Sequence, residues 1–481
     1  MGEPPYVRFA VRASHASGRV TAADVVASVA AQIRDGLLPP GSRLPPVRAL
    51  EATVGLSKNT AQSAYQELVS RGLLEARERE GYFVAAPSNA TSGPSSRALP
   101  SPPLPALREV RGLPSRHIPR DVVSLSTVFI DPELLPRERL ADCLRSVLRA
   151  PGLGSFYDAQ GHPPLRELIA SRLRARGFDC DASHVVITTG SQQAIDLMAR
   201  AVSARRVAVE SPVYAHARVL FEHLGHEVIG LPLDPFAGIA LDAWERALAA
   251  HRPSFLYAIT SYQNPTGYSY TSHELAAVLE MAARHDVALV EDDWGSDMLS
   301  GSEYRPMLRL LGGASVVYIN SFTKKLLPSL RVGFLVAHPS LVPTLVAIKR
   351  LSTLGGAWLT EAVLAEFLDR GYYDTHLAAL QRETDARYAQ CLATLDAVMP
   401  EGVRWTTPGG GPTLWVEVSR RVDLAKVRAE LISHGVAIET TDECFVGEPH
   451  LHGFRVSYAW LAPEVLRDAL EKVGAVLRRT L

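Results

Sequence analysis

The chain has 481 residues, a formal net charge of -1 and four scattered cysteines, Cys143, Cys180, Cys391 and Cys444. An apolar share of 47% excludes wholesale disorder, and the absence of any C-x-x-C pair argues against a disulfide scaffold or a zinc ribbon. No charge-free apolar run reaches membrane-spanning length, and the start MGEPPYVRFAVRAS lacks a signal-peptide core, so a cytoplasmic protein with no membrane partner is expected. The near-zero charge also argues against nucleic-acid binding, but only if it holds block by block.

The composition breaks between Ala86 and Arg120, where APSNATSGPSSRALPSPPLPALREVRGLPSRHIPR keeps no apolar period. Proline, serine and glycine at this density read as a linker, 86–120, between a short block, 1–85, and a long one, 121–481. In the short block, Val25, Val26, Val29, Ile33 and Leu37 mark one face of a helix over 20–38. A second helix fits Pro46 to Val54, with Gly55 as the turn. A third runs from Lys58 to Arg71, capped by Ser57. Its apolar stripe is Ala61, Ala64, Tyr65, Leu68 and Val69, which leaves Lys58, Asn59, Gln62, Ser63 and Gln66 outward. Two helices joined through a glycine form a helix-turn-helix pattern, and Asn, Gln and Lys are groups that bond base edges and phosphates. Leu73–Ala76 and Tyr82–Ala85 then read as a hairpin wing. A helical docking module with a polar outer face would share this pattern.

The residues from Ile33 to Glu78, IRDGLLPPGSRLPPVRALEATVGLSKNTAQSAYQELVSRGLLEARE, resemble the GntR-type winged helix. That resemblance implies DNA contacts from Arg43, Arg48, Ser57, Lys58, Asn59 and Thr60. The wing tip, Arg77-Glu78-Arg79-Glu80-Gly81, departs from the family's Gly/Ser-rich turn and puts two repelling acids where phosphate would lie.

In the long block, apolar runs alternate with helical ones. The strand candidates are 185–187, 207–209, 255–257, 287–290, 316–319 and 332–336, which indicates an α/β fold with a largely parallel sheet. Ligands in such sheets bind at the carboxyl ends of strands. Gly190-Ser191-Gln192 opens a helix after one strand and can cup an anion, although an ordinary helix cap looks the same. Asn264 lies in an N-P-T-G turn. Glu291-Asp292-Asp293-Trp294 offers acids for a metal or a charge partner, and the lack of nearby histidines disfavours metal.

The sharpest signal is Ser321-Phe322-Thr323-Lys324-Lys325 followed by Arg331, in a chain with only six lysines. A lysine at a strand end can be desolvated and form an imine with an aldehyde, with hydroxyls and an arginine beside it for a phosphate. A basic surface loop is the alternative for the pair alone. A phosphate cup, an imine-forming lysine and a carboxylate for a pyridinium together make a pyridoxal phosphate site.

The block resembles the fold-type I aminotransferases over nearly all its length. That resemblance implies a large sheet subdomain and a small C-terminal subdomain from about 350. By the same resemblance Lys324 carries the aldimine, Asp292 pairs with the ring nitrogen, Asn264 bonds the ring 3-oxygen and Tyr214 stacks on the ring. Gly190, Ser191, Gln192, Ser321, Thr323 and Arg331 would surround the phosphate, joined by Tyr157 from a neighbouring subunit. Arg455 would clamp an α-carboxylate. Trp294 stands where relatives often have tyrosine, and its indole N–H could replace the tyrosine's bond to the 3-oxygen. Lys325 is read as structural or phosphate-facing.

Winged helix, linker and aminotransferase-like domain in this order resemble the MocR family of regulators. The family implies a head-to-tail homodimer that binds DNA and senses an amino acid, an amine or pyridoxal phosphate itself. The competing expectation is a transaminase with a vestigial reader, because Lys324, Asp292, Asn264 and Arg455 suffice for the half-reaction. A catalytically dead scaffold is the third. The retained Ser57-Lys58-Asn59-Thr60 favours the regulator.

Overall fold

Thr21 and Asp24 start the first helix by capping each other's backbone N–H groups, Thr21 accepting at 3.3 Å and Asp24 at 2.8 Å. In the computed structural model, which describes residues 6–7, 9–11, 20–78, 80–86, 106–113, 118–119, 121–151, 158–298 and 307–481, this helix, α1, spans Ala22–Arg34. It stops short of the expected residue 38 because Gly36 takes a φ of 73° and turns the chain. Leu37, expected on the apolar face, is therefore 66% exposed, and Leu38 is buried in its place. Helix α2 (Val47–Val54) ends at Gly55, whose left-handed φ of 71° lets its N–H return to the Glu51 carbonyl. Ser57 then caps α3 (Lys58–Ser70), which buries Ala61, Ala64, Tyr65 and Leu68 at helical spacing. The wing pairs β1 (Leu74–Arg77) with β2 (Gly81–Val84), Leu74 facing Val84. Val25, Val29, Leu50, Tyr65, Leu68 and Val84 share one core. Each buried aliphatic contributes roughly 1.5–3 kcal/mol, which holds three short helices that would be marginal alone.

The chain divides into two units, Met1–Leu107 and Arg108–Leu481. Most of the expected linker lies outside the described residues. At its described end, Arg108 donates to the carbonyls of His223 (2.6 Å) and Glu222 (3.3 Å). These are carbonyls of the last helical turn, which have no partner inside the helix. Arg108 is thus tied to the Ala215–His223 helix of the second unit.

That unit opens with a short strand, β3 (Val123–Ser124). The main sheet follows: β4 (Val185–Thr188), β5 (Arg206–Ser211), β6 (Glu227–Asp234), β7 (Gly238–Ile239), β8 (Phe255–Ala258), β9 (Ala288–Asp292), β10 (Val316–Ser321) and β11 (Gly333–Val336). Its order is β4-β11-β10-β9-β8-β5-β6-β7. The run from β10 to β6 is parallel. Strand β11 is antiparallel to both neighbours, and β7 folds back on β6. The helices are α4 (Arg137–Arg149), α5 (Pro163–Arg174), α6 (Ser191–Ala201), α7 (Ala215–His223), α8 (Leu241–His251), α9 (Ser272–Arg284), α10 (Leu308–Gly312), α11 (Val342–Thr353) and α12 (Trp358–Asp369). They cover both faces. Phe255 and Tyr257 of β8 pack toward α6, α7 and α11, while Leu256 and Ala258 pack toward α8 and α9. Burial on both sides is why these strands read as unbroken apolar runs.

A smaller layer follows: α13 (Tyr372–Val398), β12 (Arg404–Trp405), β13 (Thr413–Glu417), α14 (Leu424–Ser433), β14 (Val436–Ala437), β15 (Gly453–Ser457) and α15 (Pro463–Thr480). Residue 350 falls inside α11, and α12 still packs on α4 and α5, so this layer begins with α13. It also recruits sequence from far upstream. Strand β3 pairs in parallel with β14, and Leu125 enters the small layer's core.

Candidate functional site

In the first unit, α3 presents Lys58, Asn59, Gln62, Ser63 and Gln66 to solvent. Arg48 is exposed on α2, and Arg43 is half-buried beside the wing. Ser57 and Thr60 are less available than expected. The Ser57 hydroxyl accepts the Thr60 N–H at 3.3 Å, and the two hydroxyls bond each other at 2.8 Å. Side-chain donors for base edges are thus concentrated in Lys58, Asn59 and the glutamines. In the wing, Glu78 and Glu80 are exposed. Arg77 lies 4.4 Å over the Phe83 ring and pairs with Glu75, so its charge is partly spent locally.

In the second unit, the strand ends converge on a cavity of about 350 Å³. Its walls include Ser191, Gln192, Tyr214, Asn264, Asp292, Trp294, Ser321, Thr323, Lys324, Arg331 and Arg455, which brings together residues expected from separate motifs. Gly190 stands just behind the wall as the N-cap of α6, with φ 97°. A Cβ there would approach Arg331 Nη2 to 2.9 Å, so glycine is what admits the guanidinium. Arg331 Nη2 donates to the Thr189 carbonyl at 2.8 Å. Tyr157 lies outside the described residues.

The three acids at the end of β9 have three different jobs. Glu291 accepts the Leu308 and Arg309 N–H groups, both at 2.9 Å, and a bond from Thr260, tying down the start of α10. Asp293 accepts the Ser296 N–H at 2.9 Å and the Tyr318 hydroxyl at 2.5 Å. Only Asp292 reaches the cavity. Its Oδ2 accepts the Tyr257 hydroxyl at 2.7 Å. Burial pushes its carboxyl up to about 7 against that bond, and the neighbouring Asp293 adds to the rise. A cation placed against it would reverse this shift. Among the described residues no group of His, Cys, Asp and Glu is arranged for a metal.

Lys324 and Lys325 also separate. Lys325 is buried, 2.7 Å from Asp297 and 2.6 Å from Asn320 Oδ1, and serves the interior rather than a phosphate. Lys324 is half-buried on the cavity wall, its Nζ 3.8 Å from the centre of the Phe129 ring. Trp294 lines the cavity but donates its indole N–H to the Tyr262 carbonyl at 3.1 Å. The expected bond from this N–H to a ring oxygen is therefore not available, and the side chain acts through its surface. Asn264 Oδ1 accepts Arg455 Nη1 at 2.6 Å, which aims the amide's N–H₂ elsewhere. Arg455 Nη2 also donates to the Ser126 carbonyl at 2.6 Å.

Buried polar atoms in this wall without a hydrogen-bond partner among the described residues include Gln192 Oε1, Asp292 Oδ1 and Thr323 Oγ1. Buried polar groups are normally satisfied, so they point to a missing partner. A free carboxylate oxygen, a free hydroxyl near Arg331 and a wall lysine fit pyridoxal phosphate, with its pyridinium, phosphate and aldehyde. The sequence reading missed wall residues that include Ile118, Ser126, Val128, Phe129 and Glu439. It also missed Glu210, which holds the Asn264 loop through the Ile259 N–H (3.1 Å), Gln263 (3.2 Å) and Tyr270 (2.6 Å). Burial pushes Glu210 up to about 8.

Residues 131–473 match the family "Aminotransferase class I and II", and residues 21–84 match "Bacterial regulatory proteins, gntR family". The chain is 29% identical to the uncharacterized HTH-type transcriptional regulator YdcR of Escherichia coli, covering 94% of this chain and 97% of that one. It is 27% identical to the probable rhizopine catabolism regulatory protein MocR of Rhizobium meliloti, over 92% of this chain and 91% of that one. Among solved structures it resembles LysN, the α-aminoadipate aminotransferase of Thermus thermophilus, captured with N-(5'-phosphopyridoxyl)-L-leucine. The TM-score is 0.70 at 30% identity, covering 75% of this chain and 93% of that one.

Proposed function

Because the chain belongs to the aminotransferase class I and II family and carries a GntR-type reader ahead of that domain, as MocR-type regulators do, we propose that this DNA-binding regulator is controlled by an amino compound, or by pyridoxal phosphate itself, received at Lys324. The observation that carries the reading is the single cavity shared by Lys324, Asp292, Asn264, Arg331 and Arg455. Bound there, pyridoxal phosphate supplies an aldehyde that condenses reversibly with primary amines.

The residues divide the work. Ser191, Gln192, Thr323 and Arg331 would hold the phosphate, and Asp292 would keep the ring nitrogen protonated. Tyr214 and Trp294 would bound the ring, and Asn264 would serve its 3-oxygen. With the cofactor bound, Lys324 would be the wall amine that holds its aldehyde and an effector amine would compete with it, while Arg455 would receive the effector's carboxylate in place of its bonds to Asn264 and Ser126. A ligand shifts the regulator only through its different affinity for the two states. Bulk charge does not give this reader its DNA affinity, so a homodimer, head-to-tail in this reading, supplies it by engaging two half-sites.

A gel shift against the DNA upstream of the gene, with and without candidate amines, tests both halves. Asn59→Ala should weaken the shift, and an effector should change it only in protein with Lys324 intact. Purified protein supplied with cofactor should absorb in the visible, and Lys324→Ala should abolish the band. Steady multiple-turnover transamination without DNA binding would favour the enzyme.

A further inference from the structure

We propose that Glu439 selects the effector by charge, so that the cavity takes an amino acid with a second, cationic group on its side chain and turns away dicarboxylic amino acids. This inference rests on the reading of the cavity as a cofactor and effector site. Glu439 and Arg455 both line it, with Oε2 and Nη2 3.8 Å apart and side chains only 21% and 14% exposed. That separation is beyond hydrogen-bond reach. The short bonds of Arg455 go instead to Asn264 and Ser126, at 2.6 Å each. The backbone N–H of Glu439 is pinned by Ser126 Oγ at 2.9 Å, so its carboxylate is carried on a fixed point of the wall. Beyond Glu439 a small annex of about 50 Å³ opens, sharing Tyr214, Asn264 and Arg455 with the main cavity and reaching Glu443 and His216. It is large enough for the tip of a side chain.

The charge balance decides what fits. With no effector bound, the Arg455 guanidinium and the Glu439 carboxylate offset each other. An effector carboxylate on Arg455 consumes that balance and leaves Glu439 an unmatched anion in a largely buried wall, which is unfavourable. The effector's own amine cannot restore the balance, because it is engaged at the cofactor. A second ammonium or guanidinium can, and a second carboxylate makes the mismatch worse. A neutral side chain falls between the two. The remaining charged groups of the main cavity are Asp292, Lys324 and Arg331, which the proposed function gives to the cofactor.

The test is calorimetric titration of the cofactor-loaded full chain with L-lysine, L-norleucine and L-glutamate. Norleucine has the lysine skeleton without the terminal amine. Lysine should bind about tenfold or more tighter than norleucine, the size of one charge-assisted contact, and glutamate should bind weakest. In Glu439→Gln the lysine-to-norleucine ratio should fall to near one, while Glu439→Asp should keep the order. Equal affinity for lysine and norleucine in the wild type, or a preference that survives Glu439→Gln, overturns the inference. The visible band of the loaded chain separates the two readings. A band that Lys324→Ala removes, together with a flat affinity panel, sinks only the charge selection. No band sinks both.

Discussion

Replacing Lys325 by methionine should destabilise the second unit by about 3 kcal/mol and leave the cofactor band in place, whereas Lys324→Ala should do the reverse. Lys325 is 1% exposed, and its ammonium contacts Asp297 at 2.7 Å and Asn320 Oδ1 at 2.6 Å. Breaking a buried ion pair from one side leaves an uncompensated charge, at about 3–5 kcal/mol. Two features place this case at the low end. Asp297 keeps the Tyr373 hydroxyl at 3.1 Å and the field of Arg176, and Asn320 Oδ1 keeps the Ser321 N–H at 2.6 Å. The bond from His376 to the Lys325 carbonyl involves only backbone of residue 325 and survives the change. Lys324 is only half-buried, and its ring contact with Phe129 is worth about 1 kcal/mol, so Lys324→Ala should cost less than the buried Lys325→Met. Urea unfolding followed by tryptophan fluorescence, with the visible spectrum of each loaded variant, reads both quantities. A Lys325→Met protein that unfolds like the wild type but is colourless, beside a coloured Lys324→Ala, would refute the assignment of the two lysines.

In the cofactor-free protein, the contribution of three buried carboxyls to stability should fall as pH rises from about 4 to about 8. Asp292, Glu291 and Glu210 have folded-state pKa values of about 7, 7 and 8, above ordinary carboxyls. The native state then holds protons that the unfolded chain has released, so this contribution is full below about pH 4 and is lost as pH rises through about 7 to 8. Thermal melts across this window check the trend, and Asp292→Asn should remove part of the slope. Gly190→Ala should lower the affinity for pyridoxal phosphate in a spectral titration, because its Cβ displaces the Arg331 guanidinium; unchanged affinity would remove Arg331 from the phosphate site. Glu78→Gln with Glu80→Gln should tighten DNA binding in a low-salt gel shift by removing two exposed negative charges near the wing tip.

The reader was legible because its signals are local. A serine cap, a left-handed glycine and a helical stripe each lie within a few residues, and each formed. Leu37 was misplaced because the helix period runs on in sequence past the point where Gly36 turns the chain. The strand ends of the large sheet were legible for the same reason, since each carries its own motif. Strand β6 was missed because EVIGLPLD contains glycine and proline and is only partly buried. Trp294 shows a different limit: sequence identifies a donor but not the Tyr262 carbonyl that has claimed it. Glu439 and Ser126 were invisible because they meet only through the two-residue pairing of β3 with β14, across more than three hundred residues of chain.

The mooring of the Asn264 loop has a consequence for how such a sensor can be changed. Glu210, Gln263 and Tyr270 grip that loop from beneath, and none of them forms part of the cavity wall. Tyr257 holds Asp292 from the same hidden side. In the proposed function, the parts that would retain a cofactor are thus braced by residues outside the cavity wall, while Ile118, Val128 and Glu439 face the cavity outside that brace. Retuning this regulator to a new amine is therefore a problem of a few wall positions, in which the cofactor hold can serve as a fixed chassis.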